Sequence, residues 1–285
     1  MSSKPLNVIS QSLAPQHALS RFSGWVASIE CPSIKNFIIQ RFIKKYQVDL
    51  SDAEINDPTK FENFNSFFTR NLKVGTRPIA EGLEVLASPC DGTIYQTGII
   101  SAEKSMQVKH AAFKIAELIG DAGTANTFNQ GQYLIAYLAP KDYHRVHIPT
   151  NAQLQWMRYI PGKLFSVNFK TAAHIPNLFS RNERVVMMFQ TQKGPMIVIM
   201  VGAMIVGSIH TTWAGMVAPS TKGVTTFHYS DSDTQRIYFE KGQEIGYFSL
   251  GSTVICLFPK NQIRFADHLG TGQSIRMGEK IGEFI

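Results

Sequence analysis

Ile245-Gly246-Tyr247-Phe248-Ser249-Leu250-Gly251-Ser252-Thr253-Val254-Ile255-Cys256-Leu257-Phe258 sets a Leu-Gly-Ser-Thr element between two short apolar runs. Both runs are rich in β-branched and aromatic residues and too short for helices, so Ile245–Phe248 and Val254–Phe258 read as strands. The same texture fills the chain after about residue 84: Gln132–Leu138, Leu154–Ile160, Arg184–Gln190, Met196–Val206 and Arg236–Phe239 are further candidates, punctuated by Gly and Pro. Ala111–Leu118 is the clearest helix within this region. The fold class expected is α+β: a mostly antiparallel β domain of barrel-like or sandwich sheets, preceded by amphipathic helices.

The Leu-Gly-Ser-Thr element has a chemical reading besides a structural one. Gly251 has no side chain, so a hydroxyl can approach its carbonyl carbon freely, and Ser252 supplies that hydroxyl. Attack turns the amide into an ester; loss of the Ser252 α proton then expels the ester, and the dehydroalanine left behind hydrolyses to a pyruvoyl group. The attack is intramolecular, which lowers its barrier. Gly-Ser-Thr is equally a tight turn between strands, and these residues alone leave both readings open.

A serine nucleophile needs a base, usually oriented by a carboxylate. Tyr143-His144-Arg145-Val146-His147-Ile148-Pro149 offers two imidazoles, and Ser88-Pro89-Cys90-Asp91-Gly92-Thr93 offers a carboxylate. Asp-Gly is also a common hairpin signal, and paired histidines are often packed or surface residues. The chain order Asp91, His147, Ser252 suits a triad, and no Gly-x-Ser-x-Gly elbow supports a hydrolase of the α/β type. Val146, Ile148 and Pro149 favour an extended segment. There His144 and His147 point to opposite faces, so no zinc site, and no metal, is expected.

Composition bounds the answer. A chain of 285 residues with 44% hydrophobic and 17% charged content can bury one catalytic core with an appended segment. Cys31, Cys90 and Cys256 match no disulfide framework or metal spacing, which fits a reducing compartment. The start leads into no apolar signal region, so a cytoplasmic location is expected. The most apolar run, Met196–Ile209, is broken by Gly202 and Gly207 and falls short of the ~20 residues a spanning helix needs.

Lipid contact, if any, then falls to the N-terminus. Over Pro32–Tyr46, Ile34, Phe37, Ile38, Phe42, Ile43 and Tyr46 recur at helical spacing, with Lys35, Arg41, Lys44 and Lys45 adding charge. A shorter stripe of Leu19, Phe22, Trp25 and Val26 precedes it. Such helices lie in an anionic lipid interface or pack on a protein core. The formal charge of +7 suits the lipid reading, and no nucleic-acid recognition motif accompanies it.

The chain closely resembles the bacterial membrane-associated phosphatidylserine decarboxylases. The likeness runs through Phe64-Asn65-Ser66-Phe67-Phe68-Thr69-Arg70, Ser88 to Gly92, Asp142 to Pro149, Pro161-Gly162-Lys163-Leu164-Phe165-Ser166-Val167-Asn168, Asn177 to Arg184 and the Leu-Gly-Ser-Thr element. The resemblance implies a self-processing triad of Asp91, His147 and Ser252, with cleavage between Gly251 and Ser252. Ser252 would become a covalent pyruvoyl cofactor that forms a Schiff base with phosphatidylserine and yields phosphatidylethanolamine and carbon dioxide. His144 is the candidate acid for reprotonation, and Lys163, Ser166 and Arg184 are candidate substrate contacts. The implied organisation is a membrane-associating segment, 1–50, and a catalytic domain, 51–285, cut into a large chain, 1–251, and a small chain, 252–285. The expected partners are phosphatidylserine, an anionic membrane surface on the cytoplasmic side and the chain's own cleavage products as a heterodimer, with further dimerisation left open.

Two other classes remain in view. Lys241-Gly242-Gln243-Glu244-Ile245-Gly246 and Met277-Gly278-Glu279-Lys280-Ile281-Gly282 echo one another and, with Asp91-Gly92-Thr93-Ile94, resemble turns of lipoyl and biotinyl carrier domains. No lysine here has a carrier's setting, and no long internal repeat is legible. A serine hydrolase could also use Asp91, His147 and Ser252 on an external ester.

Overall fold

The computed structural model describes residues 16–103, 105–108, 111–172, 174–203, 208–220, 223–229, 236–249 and 252–285. Its centre is the strand Ser252–Phe258, whose seven residues are all buried. Each large apolar side chain so enclosed contributes about 1.5–3 kcal/mol relative to exposure. The strand runs antiparallel to Gln132–Leu138 on one side and Gly194–Val201 on the other. Beyond Gln132–Leu138 come Gly92–Ile99 and Ser274–Ile275; beyond Gly194–Val201 come Arg184–Thr191, Ala152–Ile160 and Thr225–His228, with Ile237–Phe239 also on Ala152–Ile160.

Two smaller antiparallel sheets lie over one face. One is ordered Val85–Ala87, Lys280–Phe284, Ile263–Phe265; the other Gly215–Ala218, Ile209–Thr211, Glu244–Phe248, Arg145–His147. Val254, Cys256, Leu138, Val146, Ile148 and Phe248 meet in the core between these layers. Ile255 and Leu257 point the other way, into a second core closed by Phe113, Leu118, Phe165 and Phe179. The architecture is α+β and sandwich-like; among the described residues no sheet closes into a barrel.

Two expectations need correcting. Ala111–Leu118 is not one helix: Ala111–Lys114 is a strand paired with Ser105–Val108, and only Ile115–Ile119 is helical, ended by Gly120 at φ 74°. Pairing with a neighbouring strand overrides the local propensity of an Ala-rich stretch. The strand expected over Met196–Val206 ends at Val201, and residues 204–206 lie outside those described.

The large sheet also carries an internal repeat. The pair Cys256–Val198 lies at the centre of a pseudo-twofold, with Ile255 opposite Ile199 and Leu257 opposite Ile197. Outward on each side comes one strand, Gln132–Leu138 or Arg184–Thr191, and then a strand whose register slips, between Ile94 and Gln96 or between Leu154 and Trp156. The turns match bond for bond. Ser88 N–H donates to Glu279 O and Gly278 N–H to Ser88 O, as Ile148 N–H does to Gln243 O and Gly242 N–H to Ile148 O. Gly278 (φ 89°) and Gly242 (φ 81°) take the left-handed conformation that favours glycine, and both face the Pro78-Ile79 segment. The echoing hexapeptides are the legible trace of this repeat. The halves clasp reciprocally, with His147 N–H donating to Pro89 O and Ala87 N–H to Pro149 O.

Of the N-terminal helices, Pro32–Tyr46 builds a third cluster of its own, while Gln16–Ala27 adds Ala27 to it and reaches across to Gly162 and Leu164. Pro32 opens the second helix and Gln47, at φ 55°, ends it. This helix is two-sided. Ile38, Ile39, Phe42, Ile43 and Tyr46 pack toward Phe61, Phe64, Phe67 and Phe68, while Ile34 and Phe37 stay exposed. Lys35 is not a surface charge: it is buried, and its Nζ donates to Thr59 O at 2.7 Å and Phe61 O at 2.6 Å. The first helix is inverted. It buries Gln16 and Ser20 and exposes Leu19, Phe22 (62%) and Trp25 (63%).

Candidate active site

Ser252 opens the central strand, opposite Leu138. Strand alternation puts its side chain with Val254 and Cys256 on the face between the layers. It is fully buried, and its Oγ has no hydrogen-bond partner among the described residues. Leu250 and Gly251, which complete the expected cleavage element, lie outside the described residues.

The turn bearing Asp91 meets the same end of the sheet. A Cβ on Gly92 would stand 2.5 Å from Tyr137 O and 3.6 Å from Leu138 Cα, so the backbone approach there needs glycine. Asp91 Oδ1 accepts from Met277 N–H (2.8 Å) and Arg77 Nε (3.1 Å), and Oδ2 accepts from Arg77 Nη2 (2.7 Å). This bidentate clamp fixes the carboxylate plane. Arg77 itself is anchored on Asp52 at 2.8 Å, and its bonds to Asp91 hold its guanidinium above the ordinary value.

His144 precedes, and His147 ends, a three-residue strand, Arg145–His147, on the edge of a smaller sheet. His147 Nδ1 lies 2.7 Å from Gly242 O and its Nε2 3.1 Å from Tyr143 Oη. The carbonyl can only accept, so Nδ1 carries the proton and Nε2 accepts from the tyrosine. Burial pushes the His147 pKa down, partly offset by the Gly242 bond and the charges of Glu244 and Asp91.

His144 is wholly enclosed, its ring 4.0 Å from that of Phe68. Its Nδ1 donates to Asp142 O at 2.8 Å, and its Nε2 has no partner among the described residues. Burial lowers its pKa to about 3, so the imidazole is neutral with a free lone pair on Nε2. Ser252 Oγ and the neutral His144 Nε2 are thus both without a partner among the described residues, as are Nε and Nη1 of Arg70. No hydrogen bond joins Asp91 to His147, or either imidazole to Ser252.

The remaining candidates separate clearly. Ser166 is half-buried and accepts from Asn168 Nδ2 at 3.0 Å. Lys163 is exposed, its backbone bridged to Asn182. Arg184 is buried, and its guanidinium donates to the carbonyls of Leu118, Ser180, Asn182 and Glu117. Sequence reading missed Arg77 and Phe68, which reach the site from distant segments. It also missed the role of Arg70, whose Nη2 donates to Lys141 O at 2.9 Å in the loop before His144. Tyr143 stood within the quoted histidine motif without a part in it. Among the described residues no cluster of three metal-ligating side chains occurs.

Comparison with known proteins gives this geometry its context. Residues 64–283 match the family model described as phosphatidylserine decarboxylase, and residues 6–47 match a second model described as PSD. A phosphatidylserine decarboxylase proenzyme of Stutzerimonas stutzeri (strain A1501) is 46% identical over 279 residues, covering 98% of this chain and 94% of that protein. Proenzymes of the same name from Pseudomonas putida (strain GB-1) and Pseudomonas fluorescens (strain Pf0-1) are 47% and 46% identical, covering 98% of this chain and 97% and 98% of theirs. With the family model spanning residues 64–283 and these relatives matching nearly its whole length at 46–47% identity, the chain belongs to the phosphatidylserine decarboxylase family.

Proposed function

We propose that the chain is a proenzyme that cuts itself between Gly251 and Ser252 and then decarboxylates phosphatidylserine to phosphatidylethanolamine. The observation that carries the reading is Ser252: a fully buried hydroxyl with no partner among the described residues, at the head of the central strand, in a family whose relatives are named proenzymes. A buried, unpaired polar group costs about 1–3 kcal/mol, and a native fold retains one where the atom has other work.

In the proposed processing step His147 turns Nε2 from Tyr143 to the Ser252 hydroxyl, with Asp91 supporting the imidazolium that forms. Ser252 Oγ bonds to the Gly251 carbonyl carbon as the C–N bond breaks. Loss of the Ser252 α proton then expels the Gly251 carboxylate, and one water converts the dehydroalanine to a pyruvoyl group with release of ammonia. A pyruvoyl group formed at position 252 would be held at the head of the central strand and would supply the electron-withdrawing carbonyl that decarboxylation of an amino acid head needs. His144 is the residue assigned to reprotonation of the substrate α carbon. Burial holds its ring neutral in the unprocessed fold, with Nε2 only an acceptor, so that role requires that cleavage or lipid entry bring polar partners that raise its basicity. Ser166 and Lys163 offer contacts to the lipid head, and Arg184, with its donors committed to carbonyls, holds the wall behind them.

The same reading divides the chain into a membrane-associating segment, 1–50, and a catalytic domain, 51–285, whose products 1–251 and 252–285 stay paired. Among the described residues no helix is long and apolar enough to cross a membrane. Exposed Phe22, Trp25 and Phe37, with the formal charge of +7, support peripheral attachment to the anionic cytoplasmic face of the cell membrane. Denaturing mass spectrometry tests the proposal: wild type should give two chains and Ser252→Ala one. A single intact chain in active wild-type enzyme refutes self-cleavage.

A further inference from the structure

The inverted first helix roofs a cavity of about 530 Å³ that the proposed chemistry leaves unused. Its wall holds Glu183, 5% exposed, whose Oε1 accepts from Tyr159 Oη at 2.6 Å. From the roof comes Ser20, 5% exposed, with an Oγ that has no partner among the described residues. His17 and Arg21 stand at the helix side, and among the described residues Glu183 is the one acidic group in the lining. A second cavity of about 240 Å³ shares Tyr159 and Ser220 with the first and runs on past Met157, Met216, Val217 and Phe227. Glu183, Ser20, His17 and Arg21 stand at the first cavity, whose surface is otherwise largely apolar, and the second lies beside it, where Met216 is 61% exposed.

We infer that this trough binds one primary-amine phospholipid, its ammonium on Glu183 and Ser20, its phosphate toward Arg21, and an acyl chain along Met157, Met216 and Phe227. A buried carboxyl and hydroxyl in an otherwise apolar cavity, with Met157, Met216 and Phe227 beyond the shared Tyr159 and Ser220, suit an amphiphile. A buried carboxyl facing a cavity is satisfied by a cationic N–H donor, and the unpaired Ser20 hydroxyl adds a second acceptor for the same head. Burial raises the Glu183 carboxyl above the ordinary range, against the Tyr159 bond and the His17 charge, which is the mark of a carboxylate without a full counterion. The outward Leu19, Phe22 and Trp25 put the roof where lipid would be. Gly202 N–H donates to Glu183 O, and Val201 pairs with Thr253, so the trough adjoins the Ser252 end of the sheet. The inference deepens the proposed function and rests on it only for the class of lipid.

The test uses full-length Ser252→Ala protein, which cannot process or turn over, titrated with the dihexanoyl forms of phosphatidylserine, phosphatidylethanolamine and phosphatidylcholine below their micellar concentrations. The primary-amine lipids should bind at least tenfold more tightly than the choline lipid, whose methylated nitrogen has no N–H for Glu183; comparing the first two shows whether substrate or product is favoured. Adding Glu183→Gln, which keeps the Tyr159 contact, should erase that preference. On the exposed helix surface, where folding is not at stake, Arg21→Glu should weaken all three lipids severalfold. Equal binding of amine and choline lipids, a preference that survives Glu183→Gln, or no effect of Arg21→Glu overturns the assignment. Because the readout is binding to unprocessed protein, such a failure leaves the self-cleavage result untouched.

Discussion

At Ser88–Gly92 the chain bonds to Gly278 and Glu279, and its aspartate, Asp91, accepts from Met277 N–H at 2.8 Å. At Ile148–Ala152 it bonds to Gly242 and Gln243, and its asparagine, Asn151, accepts from Lys241 N–H at 2.7 Å. The architecture therefore needs an acceptor oxygen at this corner, and a neutral amide serves. The charge on Asp91 is surplus to the turn, and Arg77 is spent on holding it. The other matched positions differ in the same sense: His147 stands where its counterpart is Ala87, and Ser252 where its counterpart is Gly194. A repeated frame thus carries titratable and nucleophilic groups at one set of corners and inert ones at the other.

The strongest way to break this comparison is to make the corners alike. Asp91→Asn keeps the acceptor for Met277 N–H and removes the charge, so the fold should survive while self-cleavage slows about 10³-fold or more. A time course of chain masses reads it, and cleavage at the wild-type rate would strip the difference of chemical meaning. Next in size are Gly246→Ala and Gly282→Ala, which occupy equivalent places in the two smaller sheets. The new Cβ would lie 2.2 Å from His210 O in one and 2.6 Å from Arg264 O in the other. Each should cost about 1–3 kcal/mol in urea unfolding, and a loss confined to one of them would limit the symmetry to the backbone trace.

Acid separates the halves less strongly. Below about pH 6.5 the unfolded chain takes up a proton that buried His144 refuses until about pH 3. Its contribution is fully present above that range and falls by about 1.4 kcal/mol for each pH unit of acidification within it. Urea midpoints at pH 7 and 5.5, taken on Ser252→Ala protein with and without His144→Gln, should show a shallower loss in the variant; identical slopes would assign the acid sensitivity elsewhere. The smallest effect is expected from Asn151→Asp. It keeps the acceptor at an exposed corner, so cleavage should be unchanged and stability should move by no more than about 0.5 kcal/mol.

Much of the frame was legible in the residues because buried strands announce themselves through β-branched runs, as in Val254–Phe258. The repeat was not legible, since it lives in hydrogen-bond register and only the Gly242 and Gly278 turns share sequence. Nor was the orientation of the first helix. Spacing identified Leu19, Phe22 and Trp25 as a stripe, but only the seating of Gln16, whose side chain accepts from Leu164 N–H at 2.8 Å, shows that the stripe faces out. At the site, Asp91, His144, His147 and Ser252 could be picked out by chemical type. Their partners could not, because Arg77 and Phe68 arrive through tertiary packing that no local pattern encodes.

The place of Ser252 within the sheet bears on what a cut before it would leave. The downstream piece owns the middle strand of the large sheet, laced to Gln132–Leu138 and Gly194–Val201 along both edges, and its last strand, Lys280–Phe284, pairs with Val85–Ala87. Such fragments are interwoven: both cores of the β domain draw side chains from the two pieces, and neither piece can leave without exposing the other's apolar face. The severed protein would therefore behave in solution as one cooperative body, melting in a single transition, with its new chain end held fast inside the fold that made it.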